Sequence, residues 1–336
     1  MPATDTILDI RGLTIRFHTR QGVVTAVDGL DLSLRRGKVL GVVGESGCGK
    51  TVMSRALIRI EAPGRIEEGQ IRYSGRDGAE VALHTLDPVG RVIRRIRWKE
   101  IAMVFQEPMT SFGPQHTIGS QIGEAMELHR VASGGELQPA VAASLRSVQM
   151  PRPEETARQY PHQLSGGMRQ RAMIAMALSC RPEILIADEP TTALDVSTEA
   201  QILDLLRERQ AALGMSILYI SHNLGVVAQI ASEVAVMYLG RIVERAPVDL
   251  LFSSPKHPYT RALLRSIPRV DRDSSGALEV LSGNLPPPFE RPGGCSFHPR
   301  CPESMAGICD RVTPASQRLD DGSEVCCHLY GEHSHA

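Results

Sequence analysis

Net charge is almost absent from this sequence: 37 Lys and Arg stand against 38 Asp and Glu, a formal balance of -1 with a pI of about 6.8. No general positive field would therefore draw the chain to nucleic acid or to an anionic membrane surface. Long apolar runs are missing too. A spanning helix needs about 20 predominantly apolar residues, and the best runs here, such as Val234 to Leu239, fall far short. The N-terminus lacks the basic region of a secretory signal and carries Asp5 and Asp9 around only a brief apolar stretch. The expected compartment is the cytosol, so work at a membrane requires docking onto another protein. Cysteine is scarce through most of the chain: of seven, only Cys48 and Cys180 precede Cys295, and a disulfide framework is not expected in the cytosol.

What is present is a globular composition. With 336 residues and 42% hydrophobic content, the chain is expected to form two domain-sized units around a substantial core. The most informative stretch is Gly44-Glu45-Ser46-Gly47-Cys48-Gly49-Lys50-Thr51, which fills the G-x-x-x-x-G-K-[ST] template at every fixed position. Lys38 to Val43 reads as a short buried strand leading in, and Thr51 to Ile58 as a helix leading out. Glycines let the backbone fold round an anion, and the helix N-terminus adds its partial positive charge there. Lys50 is placed to reach β- and γ-phosphates, and the Thr51 hydroxyl to ligate a bridging Mg2+.

Before this loop, Ile7–Ile10, Leu13–Phe17 and Gly22–Leu34 predict an antiparallel β-layer, with Phe17 a candidate to stack on an adenine ring. After it, Ile101 to Phe105 reads as a buried strand ending at Gln106, where an amide can meet Mg2+ or the attacking water; Pro108 then forces the chain out of the sheet. Residues from about 117 to 159 predict a small helical insert. Glu183 to Asp188 is a further buried strand, ending in Asp188 and Glu189. The first carboxylate is suited to hold Mg2+ through water, and the second to orient and deprotonate the attacking water. Met215 to Ile220 delivers Ser221-His222-Asn223. Before Glu183 lie Ser165, Gly166 and Gly167, a hydroxyl and bare N–H groups opening a helix, which make a second anion site.

Leu164-Ser165-Gly166-Gly167-Met168-Arg169-Gln170, together with the phosphate loop upstream, resembles the signature of ATP-binding cassette (ABC) ATPases. The resemblance implies an α/β fold: an ABC-type P-loop NTPase with a RecA-like core, an antiparallel β-layer and a helical insert. It also implies that two cassettes pair head to tail, so that Ser165, Gly166, Gly167 and Gln170 of one face the ATP held by the other. In these terms Asp195 resembles the aspartate of the D-loop at the dimer seam, although it can equally cap the helix beginning at Val196. His222 resembles the switch histidine that contacts the γ-phosphate; Asn223 replaces the aspartate usual after it. With Gln106, Glu189 and His222 present, the site is expected to hydrolyse ATP.

His257-Pro258-Tyr259-Thr260-Arg261-Ala262-Leu263-Leu264 resembles the C-terminal motif of ATPases serving dipeptide and oligopeptide permeases. That likeness divides the chain into an ABC domain at 1–255, with its insert at about 107–160, and a C-terminal extension at 256–336. It implies a motor subunit of an importer for di- or oligopeptides or a related solute. The implied partners are a second ATPase subunit, two integral membrane permease subunits and an extracytoplasmic substrate-binding protein, which puts the chain peripherally on the cytoplasmic face of the cell (inner) membrane. The alternative is a soluble ABC ATPase acting on nucleic acid in repair or translation. Repair types need a long coiled-coil insert and translation types two cassettes in one chain, and neither is present.

Cys295, Cys301, Cys309, Cys326 and Cys327 crowd the last stretch. Four thiolates in a segment rich in Pro and Gly can fold around a metal. Zinc suits four cysteines or three with a histidine such as His328, and plain reduced thiols are the third possibility. The spacing resembles the tail of dipeptide-permease ATPases that carry a 4Fe-4S cluster. Those tails have one cysteine just before the histidine, which implies Cys295, Cys301, Cys309 and Cys327 as the cluster ligands.

Overall fold

A computed structural model describes residues 5–106, 111–192, 194–266, 286–287 and 289–331. The first residues of the expected insert, 107–110, and Ala193 lie outside them.

Strands β1 (Thr6–Thr19) and β2 (Gly22–Arg35) open the chain as a hairpin. The two short strands expected before residue 18 are one. Gly12, with φ of 58°, sits where the β1–β2 register shifts between Ile10 and Leu13, so a bulge bends the strand without ending it. After β3 (Val39–Val43), the chain returns through β4 (Arg65–Ser74) and β5 (Glu80–Ala82) to complete an antiparallel sheet ordered β2-β1-β4-β5.

The central sheet is built on β3. With β6 (Ile101–Val104), β7 (Ile184–Asp188), β8 (Ser216–Ser221) and β9 (Glu233–Tyr238) it forms a parallel array in the order β9-β3-β8-β7-β6. These strands are near-continuous apolar runs because both faces are covered. Alternate residues serve two cores. Val42, Met103, Ile186 and Leu218 face the antiparallel layer, while Val43, Val104, Leu185 and Ile217 face the helices on the other side.

Helices α1 (Lys50–Ala56) and α2 (Arg91–Ile96) pack on the antiparallel side. The insert contributes α3 (Ile118–Leu128), capped by Thr117, then α4 (Leu137–Ser147) and α5 (Pro153–Thr156). The Ser144 hydroxyl on α4 donates to the Ala175 carbonyl of α6 (Gly166–Leu178) at 2.9 Å, tying the insert to the core. Then follow α7 (Val196–Leu213), α8 (Leu224–Ile230), α9 (Val248–Ser253) and α10 (Pro258–Arg265).

The end of the chain does not stand apart. β10 (Arg241–Pro247) runs antiparallel to β9, and two short strands, β11 (Gln317–Arg318) and β12 (Glu324–Val325), extend the same sheet to β11-β12-β10-β9-β3-β8-β7-β6. Phe297 lies in the core against Tyr238 and Tyr259, with ring centroids 5.2 and 5.4 Å away. Packing is thus continuous across residue 255.

Candidate functional site

Parallel strands bring their C-terminal ends to one edge of a sheet, and in open α/β folds ligands bind there. β3 ends in the phosphate loop, β6 leads to Gln106, β7 ends at Asp188, and His222 follows β8. The loop depends on two glycines. A Cβ on Gly44 would stand 2.2 Å from the Met237 carbonyl oxygen; Gly49 has φ of 106°, and a Cβ there would stand 2.2 Å from the Ala26 carbonyl oxygen. Lys50 is 5% exposed, and its Nζ donates to the carbonyls of Gly44 at 2.7 Å and Glu45 at 3.0 Å.

Thr51 Oγ1 and Ser54 Oγ donate to the two oxygens of Asp188 at 3.4 and 3.3 Å. Asp188 is 1% exposed, and burial raises its carboxyl above the usual carboxylate range while the two hydroxyls pull it down. A buried carboxylate partnered by hydroxyls is a set of hard oxygen donors, the type Mg2+ selects. Cys48 is buried as well, and burial pushes its thiol pKa up. It packs within the loop and presents no reactive thiolate at the loop surface.

Glu189 has φ of 48°, a left-handed conformation uncommon for a residue with a side chain. Its N–H donates to the Ile220 carbonyl at 2.9 Å, so β8 fixes the turn. Three side chains meet on its Oε2: Gln106 Nε2 donates at 3.0 Å, Thr192 Oγ1 at 3.0 Å, and His222 Nδ1 lies at 3.2 Å. One carboxylate oxygen thereby collects groups from three strand ends, beside the Asp188 that meets Thr51 of the phosphate loop. Asn223 Oδ1 accepts the N–H groups of Gly225 and Val226 at 3.0 and 3.4 Å, capping α8. An amide oxygen does there what a carboxylate would, so the departure at Asn223 leaves the local hydrogen bonding intact.

The second anion site forms a separate group. Ser165 Oγ caps α6 by accepting from the Met168 N–H at 3.3 Å, and Gly167 lies against α7, where a Cβ would meet Thr198 Cγ2 at 3.0 Å. Asp195 caps α7 through the Thr198 N–H at 2.9 Å and hydroxyl at 2.7 Å. Ser165 and Gly166 are exposed, so they are free to meet a second cassette. Gln170 is not. It is 1% exposed, because its place on α6 turns it into the core with Ala172 and Met173, so its side chain does not reach the surface expected to face ATP. Phe17 is half-buried with its ring against Gly64, where a Cβ would lie 2.9 Å from the ring tip.

Two residues that matter to the loop escaped the sequence reading. The Glu45 N–H donates to the Tyr259 hydroxyl at 3.0 Å, and Arg300 Nη1 and Nη2 donate to the Glu45 carboxylate at 2.7 and 3.0 Å. Tyr259 lies within the quoted His257–Leu264 motif, which was the available signal; Arg300 had none. The motif itself starts a helix: His257 Nδ1 accepts the Tyr259 N–H at 3.0 Å and Pro258 takes the first helical position.

Among the described residues no three His, Cys, Asp or Glu side chains stand close enough to share a metal ion. The thiols do feel one another: burial, with the proximity of Cys295, Cys301 and Cys309 adding to it, pushes Cys327 up to about 12. Cys301 is pushed up to about 11, again chiefly by burial, with Cys295 and Cys309 adding to it. Cys326 lines a cavity with Arg241, Ser316 and Cys295 itself, and burial pushes its thiol up as well.

A family profile described as "ABC transporter" matches residues 27–192, and one described as "Oligopeptide/dipeptide transporter, C-terminal region" matches residues 243–309. An ATP-binding protein of Brucella ovis is 49% identical over 95% of this chain and 96% of its own length. The dipeptide transport ATP-binding proteins DppD of Bacillus subtilis and Escherichia coli are 43% and 41% identical, each over 96% of this chain and over 94% and 96% of their own lengths. Among solved structures, a dimeric ATP-binding cassette in a post-hydrolysis state superimposes with a TM-score of 0.63, at 24% identity over 72% of this chain and 98% of its own; this likeness concerns the fold. The cbiO1 subunit from Clostridium perfringens gives 0.61 at 25% identity, over 74% and 92%.

Proposed function

The chain belongs to the ATPase subunits of ABC transporters, in the group with the oligopeptide/dipeptide transporter C-terminal region, and from that membership we propose that it powers import of di- or oligopeptides. It works as an ATPase in a pair of cassettes docked on membrane permease subunits. Among the described residues no helix is long and apolar enough to cross a membrane. We assign it to the cytoplasmic face of the membrane, supplied by an extracytoplasmic substrate-binding protein.

The observation that carries the catalytic reading is the meeting of Gln106, Thr192 and His222 on Glu189 Oε2. The loop N–H groups and Lys50 hold the phosphates of ATP. Thr51, Asp188 and the oxygen of Gln106, whose nitrogen is taken by Glu189, would hold Mg2+. Magnesium, when bound, neutralises charge shared by the β- and γ-phosphate oxygens. Glu189 orients the attacking water and takes its proton, and His222 steadies the γ-phosphate. Ser165, Gly166 and Gly167 of the partner cassette cover that phosphate, with Asp195 fixing the start of α7 beside them. Deleting the gene in the native host is expected to abolish uptake of labelled di- and oligopeptides, with wild type but not Glu189→Gln restoring it. Undiminished peptide uptake would overturn the substrate class. Tagged protein that brings no integral membrane subunit out of solubilised membranes would overturn the transporter role.

For the tail we propose a 4Fe-4S cluster on Cys295, Cys301, Cys309 and Cys327. What supports this reading is the cysteine spacing, with Cys327 directly before His328. Anaerobically purified protein is expected to be brown, with iron and sulfide that vanish on serine replacement of any of the four but persist in Cys326→Ser. Colourless protein with stoichiometric zinc would overturn the assignment.

A further inference from the structure

Glu45, the second residue of the phosphate loop, is held at both polar ends by residues 214 and 255 positions downstream. Its N–H donates to the Tyr259 hydroxyl at 3.0 Å, and its carboxylate receives the paired fork of Arg300 at 2.7 and 3.0 Å. A planar guanidinium on a carboxylate fixes direction as well as distance. Arg300 is itself fixed: its side chain is 5% exposed, and its guanidinium lies 5.9 Å from the Tyr238 ring centroid. Tyr238 packs in turn on Tyr259 at 4.7 Å. The pair is only partly buried, with 27% of the Glu45 side chain exposed, so it adds little net stability and its fork chiefly specifies geometry.

That geometry reaches the nucleotide site in one step. Lys50 Nζ is positioned by the Glu45 carbonyl at 3.0 Å and the neighbouring Gly44 carbonyl at 2.7 Å. We infer that the C-terminal extension braces the phosphate loop: Arg300 is a positioning residue that acts through Glu45 on Lys50 and so sets nucleotide affinity. Because Arg300 directly precedes Cys301, order in the cysteine-rich segment becomes order in the loop. The inference rests on the reading of Gly44–Thr51 as the ATP cradle.

The test is titration of the full-length protein with a fluorescent Mg-nucleotide. If loss of the brace leaves the competent loop populated about a tenth of the time, apparent affinity falls about tenfold in Arg300→Gln. Arg300→Lys keeps the charge without the fork and is expected to fall between. Glu45→Gln is expected to match Arg300→Gln, and the double variant to be no worse than either, because both remove one interaction. The loss falls on affinity, so saturating ATP recovers turnover, which a general loss of folded protein would not allow. Arg300→Gln within twofold of wild type, or a double variant showing the product of the two single losses, overturns the inference. Should Arg300→Gln fail to fold, Glu45→Gln decides alone, and unchanged affinity in it overturns the brace equally. Wild-type protein that binds no Mg-nucleotide overturns the cradle reading and the inference with it.

Discussion

Glu189→Gln is expected to hold ATP and stop turning it over, with turnover lower by about 10² to 10⁴, the range of a positioned general base. Glutamine has the same shape, and its amide oxygen can still accept from Gln106, Thr192 and His222, all of which meet on Oε2. The constellation therefore survives while its base is lost. Thr51 and Asp188 are untouched, so nucleotide affinity stays near wild type. With ATP bound and uncleaved, the paired cassettes persist, and gel filtration with Mg-ATP is expected to show a stable dimer where wild type returns to monomer. Wild-type turnover in Glu189→Gln would rule out its role as base.

His222→Ala is the second large effect, a fall of about 10² to 10³ in kcat, the cost of losing one preorganised stabiliser of developing charge. The imidazole is 56% exposed and its ion-pair contact is with Glu189, so little packing leaves with it. The melting temperature without nucleotide is expected to stay at the wild-type value while turnover collapses. A fall of less than about threefold, far below that range, would argue against a γ-phosphate role.

Much of this site is legible in the chain because its parts are local. A phosphate loop is eight consecutive residues, and Asp188, Glu189 and His222 each follow a short apolar run of the kind a buried parallel strand has. That Glu189, Gln106 and His222 share a single oxygen is a matter of strand order, β8-β7-β6, which no short segment encodes. Gln170 belongs to the same signature string as Ser165, yet helical period turns it inward while Ser165 stays out, and a string of letters does not show that. β11 and β12 are two residues each and carry no period to detect. The Glu45 to Arg300 pair is invisible for a plainer reason: charge complementarity across 255 positions has no pattern along the sequence.

That distance also orders events during biosynthesis. A ribosome adds about 5 to 20 residues per second, so Arg300 is made roughly 13 to 50 s after Glu45, the time for the 255 intervening steps. Over this interval β10 has not met β12, and the outer edge of the central sheet is open to mispairing with other nascent chains. The strands that close that edge follow Arg300, the partner of Glu45, in the chain. A prematurely terminated product would thus carry every nucleotide motif and still be both sticky and unbraced.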